Sequence, residues 1–275
     1  MEGKVAIQGI KGSFHHQVAG EYFGELINVC ECLSFDKLAD SLVEKNAHIG
    51  IMAIENSIAG SIIPNYAIID SNNLKIIGEY YLNVHHNLMA LPGQNISEIR
   101  EVHSHPMALL QCKVFLKKYP HIKLVEDVDT AETAQRIRDK KLPGIAAIAS
   151  NVAAKLYGLE ILFPEIQTIK NNVTRFVIVK TGNSIIPEDE INKASLKFQL
   201  DHKRGSLAAV LNVMSDCKLS LTKIQSLPKI DTPWKYSFFV DVTFESYAYF
   251  QKAKSIVNIM ADHFKVLGEY KNARS

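Results

Sequence analysis

Short apolar runs alternate with stretches of helical spacing through the first 180 residues. Runs such as 4–8, 48–54 and 176–179 are rich in β-branched residues and bounded by turn-formers, which is typical of buried strands. Stretches such as 15–23, 107–119 and 131–140 repeat apolar positions every three or four residues, which predicts helices. Helix caps are predicted at Ser13, Ser34, Thr130 and Ser150. Strands that alternate with helices over this length predict an α/β fold with a parallel or mixed sheet.

After a polar linker, predicted over residues 182–193, the pattern changes. Every second position from 236 to 244 is apolar (Tyr236, Phe238, Val240, Val242 and Phe244), which indicates a strand with an apolar face. The order βαββαβ is ferredoxin-like and predicts a small second domain over residues 194–275. Its predicted elements are strand 194–202, helix 205–217, strand 219–226, strand 236–244, helix 247–264 and strand 266–270.

Composition narrows the class of protein. The chain has 275 residues, of which 47% are hydrophobic and 22% charged, with a net charge of +2, as in an ordinary globular protein. Because lysine and arginine are scattered, we expect neither a nucleic acid nor a membrane as partner. The chain shows neither a signal-like start nor a membrane-length apolar run, and its four cysteines form no CxxC pair, so we expect reduced thiols and a cytoplasmic location.

Polar side chains recur at the ends of the predicted strands. In α/β proteins the carboxyl ends of strands commonly hold the ligand. Hydroxyl and amide groups bind and orient a ligand but supply no strong base, so this cleft suits a binding protein or an enzyme with a reactive substrate. These side chains are Ser13, Glu55, Asn56, Ser57, Ser104, His105, Ser150, Thr174 and Arg175.

Metal and nucleophile chemistry find little support in the spacing. The ten histidines include adjacent pairs, which point to opposite faces of a strand, and no third ligand stands at zinc spacing. No GxSxG elbow occurs. We therefore expect no metal. A purely structural role also remains open for some of these polar residues, because Ser13 and the Ser104–His105 pair can cap helices.

Four motifs, taken in order, resemble those of prephenate dehydratases. The C-terminal βαββαβ unit resembles the ACT domain that follows the catalytic part in that family. The resemblance covers nearly the whole chain. The motifs are residues 9–14 (GIKGSF), 55–60 (ENSIAG), 104–112 (SHPMALLQC) and 172–176 (NVTRF).

The resemblance implies a fold and a reaction. The fold is a catalytic domain over residues 1–181 with two α/β lobes around a cleft, like a type 2 periplasmic binding protein. One lobe is expected over 1–75 and 168–181 and the other over 76–167. In the reaction, prephenate loses carbon dioxide and water to give phenylpyruvate for phenylalanine biosynthesis. Aromatisation drives this step, so no cofactor is expected.

The resemblance also implies roles for individual residues. Thr174 is expected to provide the essential hydroxyl that assists the leaving oxygen. Arg175 is expected to bind a substrate carboxylate through a bidentate pair, or else to hold the lobe together as an ion pair. Glu55 would orient other groups, or act on a proton if burial raised its pKa. The further substrate contacts expected are Ser13, Asn56, Ser57, Ser104, Gln111 and Phe176.

Two departures from the family pattern change the expectations. Met107 stands where the family usually has glutamine, which suggests that this side chain faces the core. In the ACT part, Gly205-Ser206-Leu207 is close to the family's GAL pattern, whereas the usual ESRP is replaced by a stretch that begins Gln225-Ser226 and lacks both charges. We therefore expect weak inhibition by L-phenylalanine, or a different amino-acid effector.

Three further expectations stay open at this point. ACT units commonly pair their sheets, which implies a homodimer or homotetramer. Arogenate, which carries an amino group instead of the keto group, is an alternative substrate. A non-catalytic protein that binds a solute or senses an amino acid is the alternative from another class.

Overall fold

The structure is a computed structural model of the chain. Residues 183–185 of the predicted linker and His202, the predicted end of a strand, lie outside the described residues. The structure describes residues 3–182, 186–201, 203–228 and 236–274.

Tertiary contacts divide the chain into two compact units. The first unit comprises Met1–Ile62 and Tyr81–Phe176, and the second comprises Ile63–Tyr80 and Val177–Ser275. One boundary falls between Phe176 and Val177, inside a single strand. The expected lobe boundaries at residues 75, 168 and 181 stay a prediction.

The strands are short, and some, such as Ile49–Asn56 and Ile145–Ala149, are built mainly from β-branched or small apolar residues. They are β1 (Val5–Gln8), β2 (Val29–Cys32), β3 (Ile49–Asn56), β4 (Gly60–Ser61), β5 (Lys75–Asn83), β6 (Asn87–Ala90), β7 (Glu101–Ser104), β8 (Lys123–Glu126), β9 (Ile145–Ala149), β10 (Glu160–Phe163), β11 (Val173–Lys180), β12 (Lys193–Gln199), β13 (Ser220–Pro228), β14 (Tyr236–Thr243) and β15 (Asp262–Tyr270).

The helices connect these strands, and several begin at a residue whose side chain caps the first turn. The predicted caps Ser13, Ser34 and Ser150 are confirmed, since each side chain accepts a hydrogen bond from a backbone N–H of that turn. The helices are α1 (Phe14–Phe23), α2 (Phe35–Val43), α3 (Ile63–Ser71), α4 (Pro106–Gln111), α5 (Lys113–Leu116), α6 (Thr130–Asp139), α7 (Asn151–Tyr157), α8 (Ser206–Asp216) and α9 (Tyr247–Met260).

The first unit contains two sheets. In the first sheet β11, β3, β1 and β2 lie side by side, and β1 pairs in parallel with both β2 and β3. The second sheet has the order β10-β6-β9-β7-β8 and mixes parallel with antiparallel pairs. The predicted mixed α/β class is therefore confirmed. Fully buried side chains such as Ile7, Ile51, Val102 and Ile148 belong to the central strands of these sheets.

The second unit has the predicted βαββαβ order. Strands β13, β14, β12 and β15 form an antiparallel sheet in that spatial order, with α8 and α9 as the two connecting helices. Phe198, Val242 and Phe250 lie in its apolar core. An ion pair is buried in the same unit, where Lys193 Nζ lies 2.9 and 2.8 Å from the two carboxylate oxygens of Glu79.

Several sequence predictions about single elements are wrong. Thr174 and Arg175 lie inside β11 rather than before it, because the strand begins at Val173. Asp129, not Thr130, caps α6. The helix predicted over residues 107–119 is broken at Cys112 into α4 and α5, and the helix predicted to end at residue 264 ends at Met260.

No helix in the described part of the chain combines the length and the apolar surface that a membrane crossing requires.

Candidate active site

A cavity of about 290 Å³ lies in the first unit, and both of its sheets contribute to the wall. This volume is close to the lower end of the range for small-molecule sites. The first sheet and its loops contribute Gln8, Ser13, Phe14, His15, Ala53, Asn56, Asn172, Thr174 and Phe176, and the second sheet and its loops contribute His86, His105, Met107, Gln111, Asp129 and Thr130.

Strand β11 presents Thr174 and Phe176 to the cavity. Successive side chains of a strand point to opposite faces, so Arg175, between them, belongs to the other face. Arg175 is buried there and does not line the cavity. The predicted contact between Arg175 and a substrate carboxylate therefore has no support in this arrangement.

Asn56, at the end of β3, fixes the hydroxyl of Thr174. Its Oδ1 accepts hydrogen bonds from the backbone N–H groups of Ile58 and Ala59, at 2.9 and 2.8 Å. Its Nδ2 must then be the donor to Thr174 Oγ1, at 2.9 Å, and to Asn172 Oδ1, at 2.7 Å. Because Thr174 Oγ1 accepts this bond, its own hydrogen remains available to an acceptor in the cavity.

The side-chain amide of Gln111 is the next group in this hydrogen-bond network. Asn172 Nδ2 donates to Gln111 Oε1 at 2.9 Å, and the ring Nε2 of His86 lies 2.8 Å from the same oxygen. Gln111 therefore uses its oxygen within the protein. Among the described residues, none accepts a hydrogen bond from its Nε2 group, which can therefore donate to a ligand.

Two buried histidines complete this side of the cavity. Burial lowers the pKa of His15 to about 3, so its ring is neutral, and the backbone N–H of Ala53 donates to its Nε2 at 3.4 Å. The His15 ring packs edge-on against Phe176, with 5.0 Å between the ring centroids. Burial also lowers the pKa of His86, whose Nδ1 is buried without a hydrogen-bond partner among the described residues.

The loop before α1 is held by the second sheet's helix α7. Ser150 Oγ donates to the carbonyl of Gly12 at 2.6 Å, and Tyr157 donates to the carbonyl of Lys11. Gly12 has φ of +92°, and a Cβ there would lie 3.0 Å from the Tyr157 ring, so this close approach requires glycine. The loop places Ser13 and the first turn of α1 at the cavity, where unpaired helical N–H groups favour an anion.

Asp129 is the only Asp or Glu among the described residues that line the cavity, and no Lys or Arg is among them. Its Oδ1 accepts from the backbone N–H groups of Ala131 and Glu132, at 2.7 and 3.1 Å, and so caps α6. Its Oδ2 lies 3.1 Å from the position that a Cβ on Gly9 would take. Burial raises the pKa of this carboxyl group, against the opposing effect of the two backbone donors.

Four of the predicted site residues lie outside this cavity: Glu55, Ser57, Ser104 and Arg175. Ser104 is fully buried and donates to the carbonyl of Ile148 at 2.7 Å. Ser57 Oγ accepts from the N–H of Val173 at 2.9 Å and so positions the start of β11. The predicted residues that the fold does bring together are Ser13, Asn56, Gln111, Thr174 and Phe176.

Sequence reasoning missed His15, His86 and Asp129, and it assigned no role to Asn172. It considers the histidines only as metal ligands. It predicts Thr130 as the helix cap and gives the neighbouring Asp129 no role. Met107 was expected in the core, but it is 37% exposed and lines the cavity. His105, and not Ser104, caps α4, because its Nδ1 accepts from the N–H of Met107 at 3.2 Å.

The residues expected to bind an effector lie in the second unit. Gly205, with φ of +83°, stands at the N-cap of α8, and Ser206 and Leu207 form the first turn of that helix. Gln225 and Ser226 lie on β13, where Gln225 Nε2 donates to the carbonyl of Ser226 at 3.0 Å.

The family model and the curated relatives agree on one family. The family model described as prephenate dehydratase matches residues 5–184. The bifunctional chorismate mutase/prephenate dehydratase of Buchnera aphidicola is 30% identical over 266 residues, which cover 95% of this chain and 69% of that protein. Arogenate dehydratase/prephenate dehydratase 2 of Arabidopsis thaliana, a chloroplastic protein, is 34% identical over 97% of this chain and 72% of its own length.

Among solved structures, the prephenate dehydratase of Arthrobacter aurescens in complex with L-Phe superposes with a TM-score of 0.89. The match covers 98% of this chain and 90% of that one, at 22% sequence identity, and it shows a shared fold.

Proposed function

Because this chain belongs to the prephenate dehydratase family, we propose that it is a lyase that converts prephenate to phenylpyruvate with release of carbon dioxide and water. One observation carries the residue-level proposal. Asn56 donates a hydrogen bond to Thr174 Oγ1, so the hydroxyl hydrogen of Thr174 is free to donate into the cavity. The cavity wall there is built mainly of neutral hydrogen-bonding groups.

The chemistry balances without a strong base. The C–C bond to the ring carboxylate breaks and that group leaves as carbon dioxide. The released electron pair enters the ring as a double bond, and the C4 oxygen departs with its electrons and takes up a proton to become water. Thr174 donates a hydrogen bond to the departing oxygen, and the donated bond from Asn56 Nδ2 stabilises negative charge that develops on Oγ1.

The hydroxyl of threonine is a weak acid, so orientation carries much of the effect. Asn56 is itself fixed by two backbone N–H groups, and Asn172 and Gln111 continue the same chain of hydrogen bonds. Donors set in this way need little reorganisation when charge develops in the transition state.

The substrate carboxylates are proposed to meet neutral donors. Gln111 Nε2 and the first N–H groups of α1, beside Ser13, are available at the cavity wall. Phe176 and the neutral His15 provide an apolar surface for the ring. We leave Arg175, Glu55, Ser57 and Ser104 out of the direct contacts, because none of them lines the cavity.

The regulatory part of the proposal rests on the second unit. Its βαββαβ sheet suits an ACT domain over residues 194–275 that follows a two-lobed catalytic domain over residues 1–181. An amino-acid effector is proposed at Gly205, Ser206, Leu207, Gln225 and Ser226. The Arthrobacter protein was solved with L-Phe, but the uncharged Gln225-Ser226 stretch favours weak binding of phenylalanine here.

Two further properties complete the proposal. The chain is proposed to act as a homodimer or homotetramer, because ACT sheets commonly pair side by side. It is proposed to work in the cytoplasm, in keeping with Cys30, Cys32, Cys112 and Cys217, all of which are free thiols.

Phenylpyruvate formation from prephenate, followed by ultraviolet absorbance in alkali with and without L-phenylalanine, tests the function. Turnover that phenylalanine suppresses supports both the enzyme and the effector. Turnover without suppression supports the enzyme and argues against phenylalanine as the effector. A pure, folded protein that consumes no prephenate would count against the proposed function.

A further inference from the structure

We propose that Asp129 is a specificity-determining residue that binds the ammonium group of an amino-bearing substrate, so that the cavity accepts arogenate as well as prephenate. This inference rests on the proposed function, because it assigns one end of the same cavity. It is separate from the reacting centre at Thr174.

The two carboxylate oxygens of Asp129 differ in their hydrogen bonding. Oδ1 is occupied by the N–H groups of Ala131 and Glu132, which accounts for the helix cap. Among the described residues, none donates a hydrogen bond to Oδ2. It faces Gly9, beside Ser13, where a Cβ added to Gly9 would lie 3.1 Å from Oδ2 and 3.5 Å from Ser13 Oγ.

The described residues that line the cavity provide no lysine or arginine to pair with the Asp129 carboxylate. Asp129 is also the only Asp or Glu among them. A buried carboxylate is normally compensated by a cation or by several donors. Asp129 lines the cavity, where the nearby His105 ring lowers the pKa of its carboxyl group electrostatically, but no described residue donates a hydrogen bond to Oδ2. A cationic group of the ligand is therefore complementary to that oxygen.

The two substrates differ at one group only. Prephenate has a keto oxygen where arogenate has an ammonium, and a keto oxygen beside an ionised carboxylate sets two acceptors against each other. The ammonium instead donates to Oδ2 in a charge-assisted hydrogen bond. Asp129 therefore both attracts the amino substrate and disfavours the keto substrate, as selective sites commonly do.

The kinetic signature follows from the position of the ammonium. It keeps its charge throughout the reaction, so its bond to Asp129 is equally strong in the ground state and the transition state. Loss of such uniform binding raises KM and leaves kcat little changed. Loss of Thr174, by contrast, acts on kcat.

The test compares wild type, D129N and D129S on both substrates, with phenylalanine and phenylpyruvate as the measured products. Asparagine and serine both cap helices well, so α6 keeps its first turn while the charge is removed. We expect the ratio of kcat/KM for arogenate to that for prephenate to fall about 10- to 100-fold, through KM for arogenate. The matched control is E132Q, which removes a carboxylate from the same helical turn outside the cavity and should leave the ratio unchanged.

The outcomes separate this inference from the function on which it rests. A wild-type protein that turns over prephenate but not arogenate overturns the inference and leaves the function standing. The same holds if folded D129N and D129S keep the wild-type ratio, or if E132Q changes it as much. A wild-type protein that consumes neither substrate overturns both.

Discussion

Asn56 Nδ2 lies 2.9 Å from Thr174 Oγ1 across 118 positions of sequence, and the direction of this hydrogen bond is fixed. Backbone donors occupy Asn56 Oδ1, so the amide nitrogen faces Thr174 and the threonine oxygen is the acceptor. The hydroxyl hydrogen of Thr174 is therefore directed away from Asn56 and can be donated to a ligand. The catalytic proposal and the first two predictions depend on that direction.

Replacing Thr174 by alanine should lower kcat for prephenate by about 10²- to 10⁴-fold, the range typical of a positioned proton donor. T174S keeps the hydroxyl and should recover most of the activity. Steady-state kinetics on both variants, with circular dichroism to confirm folding, measures the effect. An alanine variant with nearly wild-type kcat would show that the hydroxyl is dispensable.

Asn56→Asp reverses the hydrogen bond with almost no change in shape. The aspartate can still accept from Ile58 and Ala59, but it offers no N–H to Thr174, whose hydroxyl would then donate to the new carboxylate. We expect N56D to lose about as much kcat as T174A. In the N56D/T174A double variant the losses should not add, because both act through one hydroxyl. Fully additive losses in kcat would argue that the two residues act independently.

Ser104→Ala should affect stability and not catalysis. Ser104 Oγ donates to the buried carbonyl of Ile148 at 2.7 Å, and its loss leaves that oxygen without this donor. The expected decrease in the free energy of unfolding is about 1–3 kcal/mol, measured by urea denaturation. A matched variant, S13A, should instead change KM, because Ser13 lines the cavity. A large rise in KM for S104A would restore its role as a substrate contact.

The buried pair of Lys193 and Glu79 predicts a stability effect in the second unit. Lys193→Met removes the cation that lies 2.8 Å from the buried Glu79 carboxylate and should cost about 3–5 kcal/mol of unfolding free energy. The double variant K193M/E79M should cost less than K193M alone, since the buried carboxylate is then removed together with the cation. The exposed pair Lys37–Asp40 provides the control, and K37M should leave the unfolding midpoint unchanged. A K193M variant as stable as wild type would contradict the prediction.

His15 predicts a loss of stability in acid. Its folded-state pKa of about 3 lies below the value of 6.5 for an unperturbed histidine, so the unfolded chain takes up the proton first as pH falls. The stability it contributes is complete above pH 6.5 and is lost on acidification, at up to about 1.4 kcal/mol per pH unit.

H15Q retains an acceptor for the N–H of Ala53 and cannot titrate. Urea unfolding between pH 7 and 4.5 should therefore show a shallower decline for H15Q than for wild type. The remaining slope is expected to include His86, whose pKa is lowered in the same direction. Parallel curves for the two proteins would rule out the buried neutral state of His15.

Local sequence signals determined much of this protein. Alternating runs of 2-residue and 3.6-residue period predicted the α/β class and the βαββαβ order, because burial of one face imposes those periods. Serine at positions 13, 34 and 150 predicted three helix starts, since capping depends on neighbours within one turn. The catalytic role of Thr174 stays a prediction.

The tertiary structure alone decided which polar residues share the cavity. The phase of β11 puts Thr174 on one face and Arg175 on the other, and that phase depends on where pairing begins. Ser104 satisfies a carbonyl 44 residues away, while Asp129 caps a helix and also lines the cavity. The direction of the Asn56–Thr174 hydrogen bond also depends on the tertiary structure. The two residues are 118 positions apart, and no local sequence pattern predicts such a contact.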